Sequence, residues 1–289
     1  MENALSDAAI SQYGHQGFLF PQSGIGAARA QAARAELEAY EATLGGPLTT
    51  QPRGARYKLH VKLPWAQAIV SDARILDAVE ALIGPDILVF TSTMFVKEPS
   101  TDAVTLWHQD AAYFGLRPHE HVTAWVALSE ASEVAGCMTF ISQNGAPRLF
   151  HHKVNADANS INGAGQSIVE AFDQDAGVRA TLKAGDFSLH HTLCLHSSPP
   201  NASPDRRIGY GISYIPTRVQ HIGTIRQRAM LVRGADQFGH FEHEAVPGED
   251  TQGNQRQHDL SIERYSAAYT QQMAWHEEGR FLEAKSATD

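Results

Sequence analysis

The sequence is short of the residues that hold small secreted scaffolds together. Only two cysteines, Cys137 and Cys194, occur among 289 residues, too few for a disulfide framework or a thiolate zinc centre. Positive charge is also scarce: 23 Lys and Arg stand against 32 Asp and Glu, a formal charge of −9. A surface with that balance repels nucleic acid and anionic membranes, so neither is expected as a partner. Long apolar runs are missing. The best stretch, residues 75–90, is interrupted by Asp77, Glu80 and Asp86 and falls short of the roughly 18 apolar residues of a membrane helix. The first residues, MENALSDAAISQYGHQGF, show no basic patch followed by an apolar core. No secretory signal is therefore expected, and the expected location is cytoplasmic.

Histidine, by contrast, is plentiful, with 15 residues. It is the commonest metal ligand and the usual acid or base near neutral pH.

Apolar spacing predicts helices over 27–44, ended by Gly45-Gly46-Pro47, and over 65–83, ended by Gly84-Pro85. From residue 87 the period changes. Short β-branched and aromatic runs at 87–96, 122–128, 137–141, 178–182, 187–195 and 208–215 read as strands separated by polar turns. Many short strands without a βαβ rhythm predict a mainly β fold with flanking α, a sandwich or jelly roll. Residues 157–175 are polar, with Asn159, Asn162, Gly163 and Gly165, and read as an inserted loop suited to a lid. Residues 248–258 read as loop and 260–281 as a terminal helix. Nothing marks a linker. The expectation is one domain over 1–289: a mainly helical flank (1–85), a jelly-roll core (86–218) and a C-terminal cover with a helix (219–289).

The densest chemistry lies in Trp107-His108-Gln109-Asp110. In an extended segment His108 and Asp110 point to one face. An imidazole and a carboxylate are two thirds of a 2-His-1-carboxylate triad, which holds non-haem Fe(II) and leaves positions open. A second histidine must come from elsewhere, and the segment 189–201 offers His190, His191 and His196. Read as one strand, it puts His190 and His196 on one side and His191 on the other. His196 stands just before the Pro199-Pro200-Asn201 turn, while His190 and His191 read as neighbours or core. Arg206-Arg207 opens the strand at 208–215. The pair is either solvated at a strand end, or sends one guanidinium inward to fork onto a carboxylate.

Together, Trp107-His108-Gln109-Asp110, His196-Ser197-Ser198-Pro199-Pro200-Asn201 and Arg206-Arg207 resemble the phytanoyl-CoA dioxygenase family of Fe(II)- and 2-oxoglutarate-dependent oxygenases. The resemblance runs from about Tyr57 to Thr217 and includes Lys97 and Thr123-Ala124-Trp125-Val126-Ala127-Leu128. It implies a double-stranded β-helix, a cupin-like jelly-roll barrel, with Fe(II) held by His108, Asp110 and His196. It further implies that Arg207, assisted by Ser198, binds the far carboxylate of 2-oxoglutarate. That cosubstrate would be converted with O2 to succinate and CO2 as an unactivated C–H bond of a small-molecule substrate is oxidised. Halogenating relatives replace the carboxylate of His-x-Asp, so the retained Asp110 implies a hydroxylase. The chain departs from the family's usual pattern at Ser142-Gln143-Asn144-Gly145 and at Pro200.

Lys97, Gln109, Tyr113, Arg148 and His190 are candidates by position for a substrate pocket. Lys97 would suit an anionic substrate, or equally an ion pair or 2-oxoglutarate itself. Two rival clusters, His119-Glu120-His121 and His240-Phe241-Glu242-His243-Glu244, carry metal-ligand residue types but lack a following apolar strand and an arginine partner. Two other classes remain open: a cupin-like metalloenzyme with no oxidative cycle, and a non-catalytic ligand-binding jelly roll.

Overall fold

The computed structural model describes residues 5–154, 159–161 and 166–278. In chain order the elements are α1 (Asp7–Gln16), β1 (Phe18–Gln22), α2 (Ala27–Thr43), α3 (Pro64–Val70), α4 (Ala73–Ile83), β2 (Ile87–Lys97), β3 (Thr105–His108), α5 (Ala111–Phe114), β4 (Leu116–Arg117), β5 (Val122–Ala127) and β6 (Met138–Ile141). There follow β7 (His152–Val154), β8 (Gln166–Ile168), β9 (Val178–Ala180), β10 (Phe187–His191), β11 (Leu195–Ser198), β12 (Arg207–Pro216), β13 (Gln220–His221), β14 (Arg228–Arg233), β15 (Glu242–His243) and α6 (Thr251–Glu277).

Two sheets form the jelly roll. The larger runs β1-β10-β5-β12-β2-β14-β15 and the smaller β3-β11-β6-β9. Neither closes on itself, so the architecture is an open pair of sheets rather than a sealed barrel.

Side-chain alternation assigns each face of the larger sheet a different task. On β12, Ile208, Tyr210, Ile212 and Tyr214 join one apolar core with Leu37, Val70, Leu76 and Val79 of α2, α3 and α4. The intervening Arg207, Gly211 and Ser213 line the space between the sheets. A second core there joins Trp125 and Ala127 of β5 to Met138, Phe140 and Ala180 of the smaller sheet. Gly209 makes room for this layer: a Cβ there would fall 1.7 Å from the Trp125 ring, so only glycine lets the indole lie on β12.

The structure revises several boundaries. The expected helix over 65–83 is two, because Asp72 accepts from the Arg74 amide and caps α4. The expected strand over 187–195 is also two. The chain turns at Thr192-Leu193-Cys194, where the Cys194 amide donates to His191 O at 2.8 Å, and crosses from the larger sheet to the smaller. The helical flank contains a strand, β1, paired antiparallel with β10. Residues 251–258 are helix rather than loop. Asp250 caps α6 by accepting from the Gly253 amide at 2.9 Å, and a polar composition suits a helix partly open to water. Of the lid expected at 157–175, residues 157, 158 and 162–165 lie outside the described residues. The described part includes β8, paired with β7, and Ser160, bridged to Val104. Among the described residues no helix is long and apolar enough to cross a membrane.

Candidate active site

The site forms where the two sheets face each other. His108 ends β3 and lies opposite His196 of β11 in the ladder, with ring centroids 4.0 Å apart. Beyond His108 the chain leaves the strand. Gln109 pins that departure: its amide group donates to Leu193 O (2.6 Å) and Arg148 O (2.8 Å), and its Oε1 accepts from the Phe150 amide (2.7 Å). Asp110 then adopts helical angles (φ −59°, ψ −34°) at the start of α5. His108 and Asp110 therefore converge through a turn, not through alternation along an extended segment. Asp110 Oδ1 stands 3.8 Å from His108 Nε2 and 3.7 Å from His196 Nε2. These three residues are the group of potential metal ligands found among the described residues.

Backbone carbonyls orient both rings. His108 Nδ1 donates to Leu106 O at 2.8 Å and His196 Nδ1 to Cys194 O at 3.1 Å. A carbonyl only accepts, so each proton sits on Nδ1 and each Nε2 lone pair faces the centre, the tautomer a metal ligand needs. Burial pushes both rings toward the neutral form; at His196 the neighbouring imidazoles add to it, and at His108 the Asp110 charge opposes it without reversing it.

Asp110 is held from behind. Thr123 donates to Oδ2 at 2.7 Å, and His190 Nε2 lies 3.3 Å from the same oxygen. Thr123 in turn accepts from His121 Nε2 (3.0 Å), whose Nδ1 accepts from Thr192 (3.1 Å). Burial lowers His121 to about 4, so it stays neutral and fits that one-donor, one-acceptor role. Burial alone would raise the Asp110 carboxyl; the His190 hydrogen bond and the surrounding imidazoles outweigh it and hold the group well below the usual carboxylate range. One oxygen is thereby occupied and the other left to the centre.

At the far end of the same cavity lies Arg207, 2% exposed, its guanidinium 5.3 Å from the Trp125 ring. Among the described residues the guanidinium makes one hydrogen bond, a long one from Nη2 to Ser198 Oγ at 3.4 Å, and Nε is buried without a partner there. Burial lowers it to about 10. Lys97, its ladder partner, donates to Ser198 Oγ (2.7 Å), Ser198 O (3.1 Å) and Pro199 O, and burial followed by the Arg207 charge lowers it to about 6. Arg206 points the other way and pairs with Glu41 and Glu98. The inner cavity of about 60 Å³ joins triad to Arg207; a second, of about 260 Å³, opens from the triad toward α6, and both touch Thr93, Phe95, His108 and Asp110.

A family model described as phytanoyl-CoA dioxygenase (PhyH) matches residues 13–209. The chain belongs to the phytanoyl-CoA dioxygenase family. Among its curated relatives is a "probable alpha-ketoglutarate-dependent hypophosphite dioxygenase" of Stutzerimonas stutzeri, 27% identical over 193 residues. That match covers 66% of this chain and just 64% of the relative's length. Among solved structures, the non-heme monooxygenase ThoJ in its apo form superposes with a TM-score of 0.81 at 31% identity, covering 92% of this chain and 98% of that one. CytC3 with Fe(II) and alpha-ketoglutarate shares the fold, with a TM-score of 0.60 at 20% identity over 85% of this chain and 99% of that one.

Within this PhyH-family chain the remaining candidate residues are scattered. His190 abuts Asp110, and Tyr113 lines the larger cavity with its ring edge-on to His108 at 5.5 Å. Gln109 spends its side chain on the three backbone groups already described, Lys97 is enclosed by Ser198 and Pro199, and Arg148 pairs with Glu170 in solvent. These three are not among the lining residues of either cavity. The rival clusters do not assemble: His121 braces Thr123, His243 pairs with Asp236, and Glu244 is buried against Lys58. Sequence reading missed Thr123 as the Asp110 brace, although it stands in the quoted segment after the His-x-Asp. It also missed Tyr57, Tyr265 and Tyr269 of the larger cavity. Tyr265 and Tyr269 are spaced i, i+4, which places them on one face of the terminal helix.

Proposed function

We propose that the chain is an Fe(II)- and 2-oxoglutarate-dependent oxygenase that hydroxylates an unactivated C–H bond of a small molecule. In this reading His108, Asp110 and His196 hold the iron, and Arg207 with Ser198 binds the far carboxylate of 2-oxoglutarate. The observation that carries the reading is Arg207: a buried guanidinium with five donors and, among the described residues, one long hydrogen bond, at the end of the cavity that starts at the triad. A buried charge without a counter-charge is costly, so the fold keeps it where an anion arrives. A dicarboxylate reaching from the triad supplies that anion at one end and metal-binding oxygens at the other. A metalloenzyme with no oxidative cycle has no use for such a cation.

The donor set fits ferrous iron: two imidazole nitrogens and one carboxylate oxygen, with protons already turned away. When bound, iron with 2-oxoglutarate and O2 supplies the oxidising power; the chain's residues position and exclude. Thr123 and His190 hold Asp110 so that one oxygen faces the centre. Trp125, lying over Arg207, keeps water from the carboxylate end and strengthens the ion pair there. The aromatic wall of the larger cavity brings the substrate's C–H bond up to the triad.

The test is an anaerobic titration of the protein with Fe(II) and 2-oxoglutarate. The weak visible charge-transfer band of the chelate is expected to saturate; its absence from folded protein rejects the assignment. A substrate screen for coupled succinate release then separates hydroxylation from other oxidations.

A further inference from the structure

The larger cavity has an uneven lining. Six aromatic rings face it: Tyr57, Phe95, Tyr113, Phe114, Tyr265 and Tyr269. The rings pack on one another as well as on the cavity, with Tyr57 and Tyr265 5.7 Å apart and Tyr113 edge-on to His108. Its inner end is made by the buried His108 and the braced Asp110, and its outer end by the exposed Arg53, Ser266 and Thr270.

The charges are uneven too. Asp110 is the one acidic residue among the lining residues, and its oxygens are committed to Thr123, His190 and the triad. Arg53 is the one permanent cation, and among the described residues it has neither a hydrogen bond nor an ion pair. A tyrosine-rich wall alone would also suit a quaternary or primary ammonium through its ring faces. A guanidinium at the entrance opposes that, because it repels a cation and attracts an anion along the way in. Arginine, moreover, matches the planar fork of a carboxylate. The volume, about 260 Å³, sits near the lower edge of ligand pockets and suits one small molecule.

We infer that the primary substrate is a small carboxylic acid with an aromatic or similarly flat apolar body. Its carboxylate lies at Arg53, its body is stacked among Tyr57, Tyr265 and Tyr269, and its far carbon is presented to His108 and Asp110. This deepens the oxygenase reading and rests on it for the identity of the reacting end. It also separates the two carboxylates the protein handles: 2-oxoglutarate goes inward to Arg207 and the substrate outward to Arg53.

The test compares 4-phenylbutanoate, its primary amide and 4-phenylbutylamine, with binding followed by calorimetry and saturation-transfer NMR on the full chain without iron or 2-oxoglutarate. The acid is expected to bind tightest. Arg53→Ala should weaken the acid about three- to fivefold, the scale of an exposed ion pair, and leave the amide unchanged. Tyr269→Ala should weaken acid and amide alike, by about tenfold, through loss of the ring contact. Binding of the acid should survive Arg207→Gln. The inference is overturned if the amine or the amide binds tighter than the acid, if no probe shows saturable binding, or if Arg207→Gln abolishes acid binding while Arg53→Ala spares it. The chelate band, read separately, keeps the two readings apart. A normal band with no acid preference sinks the substrate class alone, and acid binding with no band sinks the oxygenase assignment alone.

Discussion

Two buried cations, Lys58 and Arg207, lie on opposite sides of the larger sheet. On the helix-facing side Lys58 donates to Phe90 O (2.6 Å), Arg228 O (3.0 Å) and Glu244 Oε1 (2.8 Å). His60 continues the network through Glu244 Oε2 (3.3 Å) and Ser92 Oγ (2.7 Å), and Tyr210 donates to that same Ser92 at 2.9 Å. Between the sheets, at the start of β12, one residue before Ile208 and two before Gly209, the Arg207 guanidinium has a single long hydrogen bond among the described residues, and Lys97 has backbone and hydroxyl acceptors there but no carboxylate. Burial is equally deep on both sides. What differs is whether the charge is balanced within the chain. A balanced cluster ties the segment around residue 244 to β2 and β14 and serves stability; the unbalanced one, in the function proposed above, reserves a place for an anion that folding does not supply.

The sharpest way to break the comparison is to exchange the roles by mutation. Glu244→Gln should leave Lys58 buried without its counter-charge and cost about 3–5 kcal/mol of stability in chemical denaturation. Binding of 2-oxoglutarate should be unaffected in whatever fraction stays folded. The sign of the pH dependence follows. Burial opposes the charge, but Lys58 and His60 outweigh it and hold the Glu244 carboxyl at about 2, below its ordinary 4.5. The unfolded chain binds this proton more readily, so the contribution is complete above 4.5 and drains as pH falls toward 2. The stability gap between wild type and Glu244→Gln should therefore narrow over that window, and a gap independent of pH would remove the carboxylate from the account.

Arg207→Gln should do the reverse. Losing an unbalanced cation should leave stability unchanged or raised in the absence of ligand. The 2-oxoglutarate concentration needed for the chelate band should rise about a hundredfold, within the range for truncating one partner of a buried charge pair. Saturating 2-oxoglutarate should raise the melting temperature of wild type and not of the variant. Destabilisation matching that of Glu244→Gln would mean that Arg207 is structural after all.

The same contrast explains how far the sequence could be read. The short β-branched runs separated by turns pointed to a jelly roll, and His108, Asp110, His196 and Arg207 stand out because few other jobs need those side chains in that order. The local geometry was less legible. The two-residue spacing of His108 and Asp110 suggested a strand, yet the structure uses a strand end and a turn fixed by Gln109, a residue whose partners Leu193, Arg148 and Phe150 are all distant in sequence. His190 and His196 do face the same carboxylate, but across two sheets and not along one strand. Spacing encodes neighbours on one element; it does not encode which sheet receives the next. The Lys58–Glu244 pair shows the same limit, since its members lie 186 residues apart and Glu244 read as part of a rival metal cluster.

The smallest effect is the most local test, because it concerns neighbouring residues. Arg206 immediately precedes β12 and Arg207 opens it, and the two side chains point to opposite faces. Arg206 forks onto Glu41 with two contacts of 2.8 Å and reaches Glu98 at 2.8 and 3.0 Å, tying α2 to the ends of β2 and β12. Its charge is balanced within the chain, so it falls on the structural side of the comparison, though nearer to water than Lys58. Arg206→Ala should cost about 1–2 kcal/mol of stability, in keeping with charge-assisted hydrogen bonds that are partly exposed. It should change the 2-oxoglutarate requirement less than about twofold, since Glu41 and Glu98 already balance the Arg206 charge and it makes no contact with the Arg207 pocket. A large rise in that requirement with Arg206→Ala, and none with Arg207→Gln, would transfer the anion site to the outer face and reverse the assignment of the two sides.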